Sequence, residues 1–191
     1  MELLVVVAII GVVALVTIPA LMQLMPQYRI RSAASETAAV IRLIRQRAVT
    51  TRSPWRITFD TSQNRYRYFA LNSPYADQAV EANWTAIARD GRNRAVGGDE
   101  EWIQVTSVQL QSTTNSFKDV VCPTDGLIDL IFLRDGSVSD KAACGATATD
   151  VLTFGTAPSV RFSVDSNLVR FNRYYVTVAK NGSVGIRPTK E

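Results

Sequence analysis

The chain has 191 residues, with 21 Lys and Arg, 17 Asp and Glu, and no histidine. This length leaves room for one modest domain beside an apolar end and excludes two domains of ordinary size. Without histidine, neither a Ser-His nor a Cys-His nucleophile pair can form, and no phosphate-binding glycine loop with its lysine is present. The sequence therefore indicates a protein that is not an enzyme and uses no cofactor.

The net positive charge lies in one short stretch of the chain. Between residues 27 and 56 the only acid is Glu36, whereas seven arginines occur there: Arg29, Arg31, Arg42, Arg45, Arg47, Arg52 and Arg56. From residue 57 onward the chain has fourteen basic and fifteen acidic side chains. This nearly neutral remainder argues against a head that follows a phosphate backbone, because such binding needs a concentrated cationic surface.

Residues 1–26 form the most apolar part of the chain. From Leu3 to Met25 there is no charged side chain, and the polar side chains are only Thr17 and Gln23. At about 1.5 Å per helical residue this run spans about 35 Å, against roughly 30 Å for a bilayer core, so a transmembrane helix is predicted. The alternative is a cleaved secretory signal. The run is too long for one, and it lacks both a basic n-region and a small-residue cleavage site.

Glu2 places a carboxylate at the start of this apolar helix. Such a group is costly in hydrocarbon, so a partner or a polar environment is expected. In one interpretation Glu2 lies among lipid headgroups, near the positive end of the helix dipole. In the other, it neutralises the N-terminal ammonium group of a neighbouring subunit when these helices bundle.

The start of the chain resembles a known family. The segment Glu2-Leu3-Leu4-Val5-Val6-Val7-Ala8-Ile9-Ile10-Gly11 is similar to the start of type IV pilins and type II secretion pseudopilins, and Pro19 follows Glu2 by seventeen residues, as in the family. The family has a basic leader ending in Gly, then Phe and three more residues, whereas only Met1 precedes Glu2 here. We expect Met1 to be an internal methionine, with the leader and a methylated phenylalanine encoded upstream. A reading frame without upstream Gly-Phe codons would contradict this.

The resemblance implies partners and a location. Glu2, Gly11 and Pro19 would be assembly residues, and the apolar helix would pack against helices of other pilin or pseudopilin subunits. The chain would first lie in the bacterial inner membrane as a single-pass protein with its head in the periplasm, and later in an extracytoplasmic pilus or pseudopilus. An assembly platform and a prepilin peptidase are further implied partners.

Residues 27–53 are predicted to continue the helix as an amphipathic half. Small and apolar side chains recur at spacings of three and four residues, while charged ones fall mostly on other faces. The predicted buried face comprises Ala33, Thr37, Val40, Ile41, Ile44 and Ala48. Pro54 is expected to end the helix. Pro19 and Pro26 are each expected to kink it or melt a turn.

Residues 54–191 are predicted to form a β-rich globular head. Asp135-Gly136 and Asn181-Gly182 predict type I′ hairpin turns. Runs rich in aromatic and β-branched residues, bounded by turn residues, predict strands at Trp55–Asp60, Arg65–Leu71, Trp102–Leu110, Leu127–Leu133, Val151–Phe154, Val160–Val164, Arg173–Ala179 and Val184–Arg187.

The head resembles the FimT-like and GspH-like branch of the pilin and pseudopilin family. The residues that carry this resemblance are the turn Phe132–Ser137 and the terminal hairpin Val176–Ile186. The resemblance implies an α+β fold in which the long N-terminal helix packs on a C-terminal antiparallel β-sandwich.

Cys122 and Cys144 are the only cysteines. An even pair in an exported domain predicts a disulfide, which the chain-entropy model values at about 3 kcal/mol for a loop of this length. The alternative is two free buried thiols in a cytosolic protein. Because no histidine is available to complete a site, no metal is expected.

Residues 72–101 match no part of the family and are predicted to form a long loop. Gly97-Gly98-Asp99-Glu100 spells part of a cyclic-dinucleotide synthase signature, but Glu101 stands where phenylalanine belongs, so a solvated acidic turn is the expected reading. Tyr75 and Trp84 are the aromatic residues expected to be exposed in this loop and available for partner contact.

Three classes of function fit the sequence. The first is a minor pilin or pseudopilin that initiates or assembles a filament, or serves protein secretion. The second is a FimT-like pilin that binds DNA for uptake, through the C-terminal cations Arg170, Arg173, Lys180, Arg187 and Lys190. The third is an anchored adhesin or sensor outside any filament, which would leave the spacing of Glu2 and Pro19 unexplained.

Overall fold

The structure is a computed structural model. It describes residues 2–60, 65–76, 78, 81–87, 94–95, 103–111, 117–119, 127–139, 141–143, 151–153, 159–166 and 173–189. Within these ranges only the backbone is described for residues 2, 8, 16, 19–26, 81, 94–95, 103–111, 117–119, 141–143, 151–153, 159–160 and 165–166.

A single helix, α1, runs from Glu2 to Thr51. Its backbone stays helical through Pro19 and Pro26, so the predicted melted turn is wrong at both positions. Each proline removes only one hydrogen bond from the ladder, and good helix formers such as Leu and Met surround both. The helix ends at Thr51 rather than at residue 53, because Arg52 adopts a left-handed backbone with φ of 50°.

The predicted transmembrane helix over residues 1–26 is not confirmed by the structure. Among the residues that the structure describes, no helix is both long enough and apolar enough to cross a membrane.

The second half of α1 packs against the head. Its buried face consists of Ile30, Ala33, Ala34, Thr37, Ala38, Ile41, Ile44 and Ala48. The helix contacts β1 (Trp55–Asp60), β7 (Leu127–Phe132), β10 (Ser159–Ser166), β11 (Tyr174–Ala179) and β12 (Val184–Pro188). The predicted spacing is confirmed, with Val40 only half-buried at the edge of the core. The hydroxyl of Thr37 donates to the Ala33 carbonyl at 2.9 Å, so this buried polar group is satisfied.

The strands form antiparallel sheets. The first sheet has the order β3-β2-β1-β7, with β4 also paired to β2; here β2 is Arg65–Leu71, β3 is Trp84–Ala86 and β4 is Arg94–Ala95. The second has the order β12-β11-β10-β5-β6, where β5 is Ile103–Gln111 and β6 is Phe117–Asp119. A separate pair joins β8 (Lys141–Ala143) to β9 (Val151–Thr153). The α+β class and the antiparallel pairing are confirmed, whereas the sandwich arrangement stays a prediction.

Every predicted strand has a counterpart within one or two residues at each end. Four short strands were missed: β3, β4, β6 and β8. Two of them, β3 and β4, lie in the stretch predicted as a loop over residues 72–101, together with a 3₁₀ turn at Glu81–Asn83. Strands of two or three residues carry too little alternation to be read from sequence, because their pairing depends on a longer neighbouring strand.

One hydrophobic core joins the helix to both five-stranded sheets. The ring of Phe59 on β1 lies 4.7 Å from the ring of Phe162 on β10, measured between centroids. Ile41 and Ile44 of α1 belong to the same buried cluster as these two rings. The core therefore forms where the two sheets and the second half of α1 meet.

Candidate functional site

The first half of α1 presents an exposed apolar surface, as far as its side chains are described. Leu3 is 78% exposed and Leu15 is 77% exposed. The other large apolar side chains described in this half are exposed as well: Leu4, Val5, Val6, Val7, Ile9, Ile10, Val12, Val13 and Ile18. An apolar surface of this extent is characteristic of an interaction site, because soluble monomers seldom expose one.

The three predicted assembly residues all lie on this half. Glu2 is the first residue of α1, and Pro19 lies inside the helix; only the backbone of each is described. A Cβ atom added to Gly11 would meet no atom within 4 Å. The chain itself therefore leaves the Gly11 backbone open to close approach.

Two turns meet the second half of α1. Arg45 donates from Nε to the Gly136 carbonyl at 3.0 Å and from Nη2 to the Asn181 carbonyl at 3.3 Å. The two turns also contact each other through the Val138 amide, which donates to the Lys180 carbonyl at 2.8 Å. One arginine thus joins the end of β7 in the first sheet to the β11–β12 turn of the second.

These turns share one design, which differs from the predicted type I′ turn. In each, the glycine amide donates to the carbonyl three residues earlier, Gly136 to Leu133 and Gly182 to Ala179. Gly136 and Gly182 have positive φ, at 79° and 77°, whereas Asp135 and Asn181 do not. This is a type I turn followed by a glycine bulge. The Asp135 and Asn181 side chains each accept from the serine amide two residues later, at 2.9 and 3.0 Å.

Hydrogen bonds from Ser137 lower the pKa of the Asp135 carboxyl below its ordinary value of 3.8. The Ser137 hydroxyl makes the larger contribution, at 2.6 Å from Asp135 Oδ1, and the Ser137 amide makes the next largest. The charged carboxylate is therefore held within its own turn.

A cleft of about 950 Å³ opens at the C-terminal end of α1. Its lining combines an exposed tyrosine, prolines, two arginines and one acid. The lining residues are Val49, Thr51, Arg52, Pro54, Pro74, Tyr75, Gln78, Leu133, Arg134 and Asp135. As predicted, Tyr75 is exposed, at 85%.

Trp84 is buried, so its predicted exposure is wrong. It is 7% exposed and belongs to a small buried cluster with Leu71 and Ile131. Its indole N–H donates to the Gln78 carbonyl at 3.0 Å, and its ring lies 4.9 Å from the Arg56 guanidinium. Arg56 in turn forms a buried ion pair with Asp129 at 3.3 Å. These contacts hold Gln78 and Trp84 against the first sheet.

The predicted DNA-binding cations separate into three groups. Arg170 and Lys190 lie outside the described residues. Arg173 and Arg187 are exposed, and Tyr175 is the register partner of Arg187. Lys180 lies in the turn at the opposite end of β11 from Arg173.

Arg161 is a further cation on the same sheet as Arg187, although it was not predicted from the sequence. Phe162 on β10 and Val176 on β11 point into the core, so the alternating side chains Arg161 and Tyr175 share the outer face. The Arg161 guanidinium lies 4.1 Å from the centroid of the Tyr175 ring. The alternation of Arg161 with core residues was the signal that could have revealed this pair.

Other predicted sites fall outside the described residues. These are Cys122 and Cys144, with their predicted disulfide, and the acidic segment 97–101. In the described part of the chain, no cluster of three side chains could hold a metal ion.

Several solved structures are similar to this chain. The minor pseudopilin EpsH from the type 2 secretion system of Vibrio cholerae is 13% identical, with a TM-score of 0.49 over 83% of this chain and 94% of that one. The type IV minor pilin FimU of Pseudomonas aeruginosa is 12% identical, with a TM-score of 0.47 over 85% and 91%. GspH of E. coli is 14% identical, with a TM-score of 0.49 over 84% and 89%.

No family model and no curated protein matches the sequence.

Proposed function

We propose that this chain is a minor subunit of an extracytoplasmic filament, either a type IV pilus or a type II secretion pseudopilus. The observation that carries the proposal is the division of α1. Ile41 and Ile44 in the second half are fully buried by the head, whereas Leu3 and Leu15 in the first half are exposed. The second half of α1 thus packs in the core of the head, and the first half presents an exposed apolar surface.

The exposed apolar side chains in the first half of α1 need to be buried by something outside the chain. Burial of a Leu, Ile or Val side chain is worth about 1.5–3 kcal/mol, and more than ten such side chains lie between Leu3 and Met25. The run is about 35 Å long as a helix, which suits a bilayer of about 30 Å before assembly. After assembly, helices of neighbouring subunits would bury this apolar surface. The head would lie in the periplasm.

Each assembly residue has a role in this proposal. Glu2 would pair with the N-terminal ammonium group of a neighbouring subunit, and would do so at the end of α1 that is distant from the head. Gly11 would allow close approach of a second helix, since small residues at such interfaces let backbones pack tightly. Pro19 lacks an N–H, so it would let the helix stretch where the ladder lacks a bond.

The head fits the same role. Two antiparallel sheets that share a core with α1 are compatible with a sandwich, and a Cys122–Cys144 disulfide would suit an oxidising periplasm. The absence of histidine from the chain favours a structural role over catalysis.

The test is filament assembly by Glu2→Ala and Glu2→Gln, expressed from the native gene with native partner subunits present. Thr17→Val is the matched control, because Thr17 is an exposed polar residue on the same half of α1. We expect both Glu2 variants to stay membrane-inserted and folded but to be lost from sheared filaments, while the control assembles. Normal incorporation of Glu2→Gln would overturn the charge-pairing role. Failure of the unaltered chain to enter the membrane would overturn the proposal itself.

A second candidate function is binding of single-stranded DNA on the outer face of the second sheet. The observation that favours it is the Tyr175 ring, which has Arg161 at 4.1 Å and Arg187 as its cross-strand partner. Aromatic rings flanked by cations are the usual platform for stacking bases, and such binding weakens steeply with salt.

Tyr175→Ala distinguishes this candidate from simple charge attraction. We expect it to weaken oligo-dT binding by the full chain about ten-fold, since stacking is worth about 1–3 kcal/mol per base. Lys180→Gln, at the other end of β11, is the matched control and should have little effect. Equal losses from the two changes would indicate diffuse attraction only.

A further inference from the structure

The cleft at the end of α1 is walled by three separate segments. Thr51 and Arg52 come from the end of the helix, Pro74 and Tyr75 from the segment after β2, and Arg134 from the turn after β7. Its volume of about 950 Å³ is within the range of pockets that hold small ligands or peptide side chains. None of the described lining residues comes from the first half of α1, which carries the proposed filament surface.

The positive charge of this cleft is not neutralised from within the described chain. Arg52 and Arg134 both line it, and neither has an ion-pair partner among the described residues. Asp135, the acid of the lining, is already occupied by the amide and hydroxyl of Ser137. Two guanidinium groups are therefore available to a carboxylate, for which arginine provides paired donors.

An exposed aromatic ring lies beside these charges. Tyr75 is 85% exposed, and the Arg134 guanidinium lies 5.5 Å from its ring centroid. The segment that carries it is held at both sides. The Leu71 amide donates to the Pro54 carbonyl at 3.1 Å, the Asn72 amide to the Asn83 carbonyl at 2.8 Å, and the Ala76 amide to the Ser73 carbonyl at 3.0 Å. A positioned but uncovered tyrosine is typical of binding surfaces, because its ring is rigid and amphipathic.

We propose that this cleft binds an acidic peptide segment of a partner protein. A carboxylate of the segment bonds to Arg52 and Arg134, and a neighbouring aromatic or proline side chain packs on Tyr75 against Pro54 and Pro74. A nucleic acid suits the site less well, because Asp135 lies in the lining and would repel a continuous row of phosphates.

The position of the cleft defines which surface the partner meets. About 26 helical residues separate Met25 from Thr51, so the cleft lies about 40 Å along the helix axis from the end of the apolar run. A molecule anchored by that run would present the cleft away from the membrane. Binding at the cleft does not require filament assembly, so its test is independent of the proposed filament function.

The test uses the full chain in dodecylmaltoside and isothermal titration with the blocked peptide acetyl-Gly-Glu-Trp-Pro-Glu-Gly-amide. The same peptide with Gln for both Glu residues is the charge control. We expect saturable binding of the acidic peptide below about 1 mM and at least a five-fold loss with the Gln peptide, since charge-assisted bonds are roughly twice as strong as neutral ones.

The protein variants locate the binding. Tyr75→Ala, Arg134→Gln and Arg52→Asn should each weaken it at least five-fold, and Asn is chosen at residue 52 because it tolerates the left-handed backbone. Tyr28→Ala and Arg31→Gln are matched controls, since both residues are exposed on α1 away from the cleft. Urea unfolding checks that each variant is folded.

Three results would overturn the proposal. The first is the absence of saturable binding to the unaltered chain, and the second is equal binding of the acidic and Gln peptides. The third is stronger binding of oligo-dT than of peptide, lost in the same three variants, which would make the cleft a nucleic-acid site.

Discussion

The two halves of α1 share one backbone conformation and both carry large apolar side chains, yet these side chains have opposite environments. Large side chains such as Leu4 and Ile10 are exposed in the first half, whereas Ile41 and Ile44 are fully buried in the second. The buried half also alternates its isoleucines with small residues such as Ala34 and Ala38, which let the helix axis approach the sheets closely. Apolar side chains predict that a helix surface will be buried. The alternation of large with small side chains indicates whether the chain's own head buries it.

Removing an isoleucine from each half should have the largest and most unequal effects. Ile41→Ala should lower the free energy of unfolding of the head by about 2–5 kcal/mol, because it leaves a cavity in the core. Ile10→Ala should change it by less than about 0.5 kcal/mol, since Ile10 is 62% exposed. Urea titrations in detergent, followed by tryptophan fluorescence, measure both. Similar losses in the two variants would mean that the first half also supports the head.

Replacing glycines by alanine compares the head with the first half of α1 through their backbone contacts. Gly182→Ala should destabilise the head by about 2–4 kcal/mol, because it combines a positive φ of 77° with a methyl group placed on the Gly136 carbonyl and 2.6 Å from Arg45 Nε. Gly185→Ala on the same hairpin and Gly11→Ala on the first half have open space and should change stability by less than about 1 kcal/mol.

Thermal unfolding of the three glycine variants provides the measurement. If Gly182→Ala were as stable as Gly185→Ala, the close approach of the two turns at Arg45 would be wrong.

Arg45→Met tests the polar part of the helix–head contact with a smaller effect. We expect a loss of about 1–3 kcal/mol, because the Gly136 and Asn181 carbonyls lose their shared donor. Arg31→Met removes an exposed arginine from the same helix and should be nearly neutral. Equal urea midpoints for the two variants would show that the turns hold together without the arginine.

Acid titration should produce the smallest effect, and only on the side of the head. The pKa of Asp135 is lower in the folded than in the unfolded chain, so its ionisation stabilises the fold above pH 3.8 and this contribution is lost as pH falls through the folded-state pKa. Asp135→Asn keeps the accepting oxygen but cannot ionise. The stability difference between the parent and Asp135→Asn should therefore shrink as the pH falls through the folded-state pKa of Asp135. Thr17→Val, in the uncharged run from Leu3 to Met25, should show a pH-independent difference. A slope there would contradict the assignment to Asp135.

The candidate sites were predictable only where the pattern was long or local. The buried face of α1 and strands such as Trp55–Asp60 follow from periodicity, which persists over many residues. The two glycine turns were located from Asp135-Gly136 and Asn181-Gly182, but their type was not, because both turn types use the same residues. Trp84 was misplaced because its burial depends on Arg56 and Ile131, which are distant in sequence.

The sequence by itself determined an apolar N-terminal helix, a β-rich head and the positions of the glycine turns, because these depend on local spacing and backbone sterics. Only the tertiary structure decided that Arg45 joins the two turns, that Arg161 meets Tyr175, and that Arg52, Tyr75 and Arg134 surround one cleft. These groupings bring together residues as far as 136 positions apart, as Arg45 and Asn181 are, and no short-range pattern encodes them. They arise from the packing of both sheets on one helix.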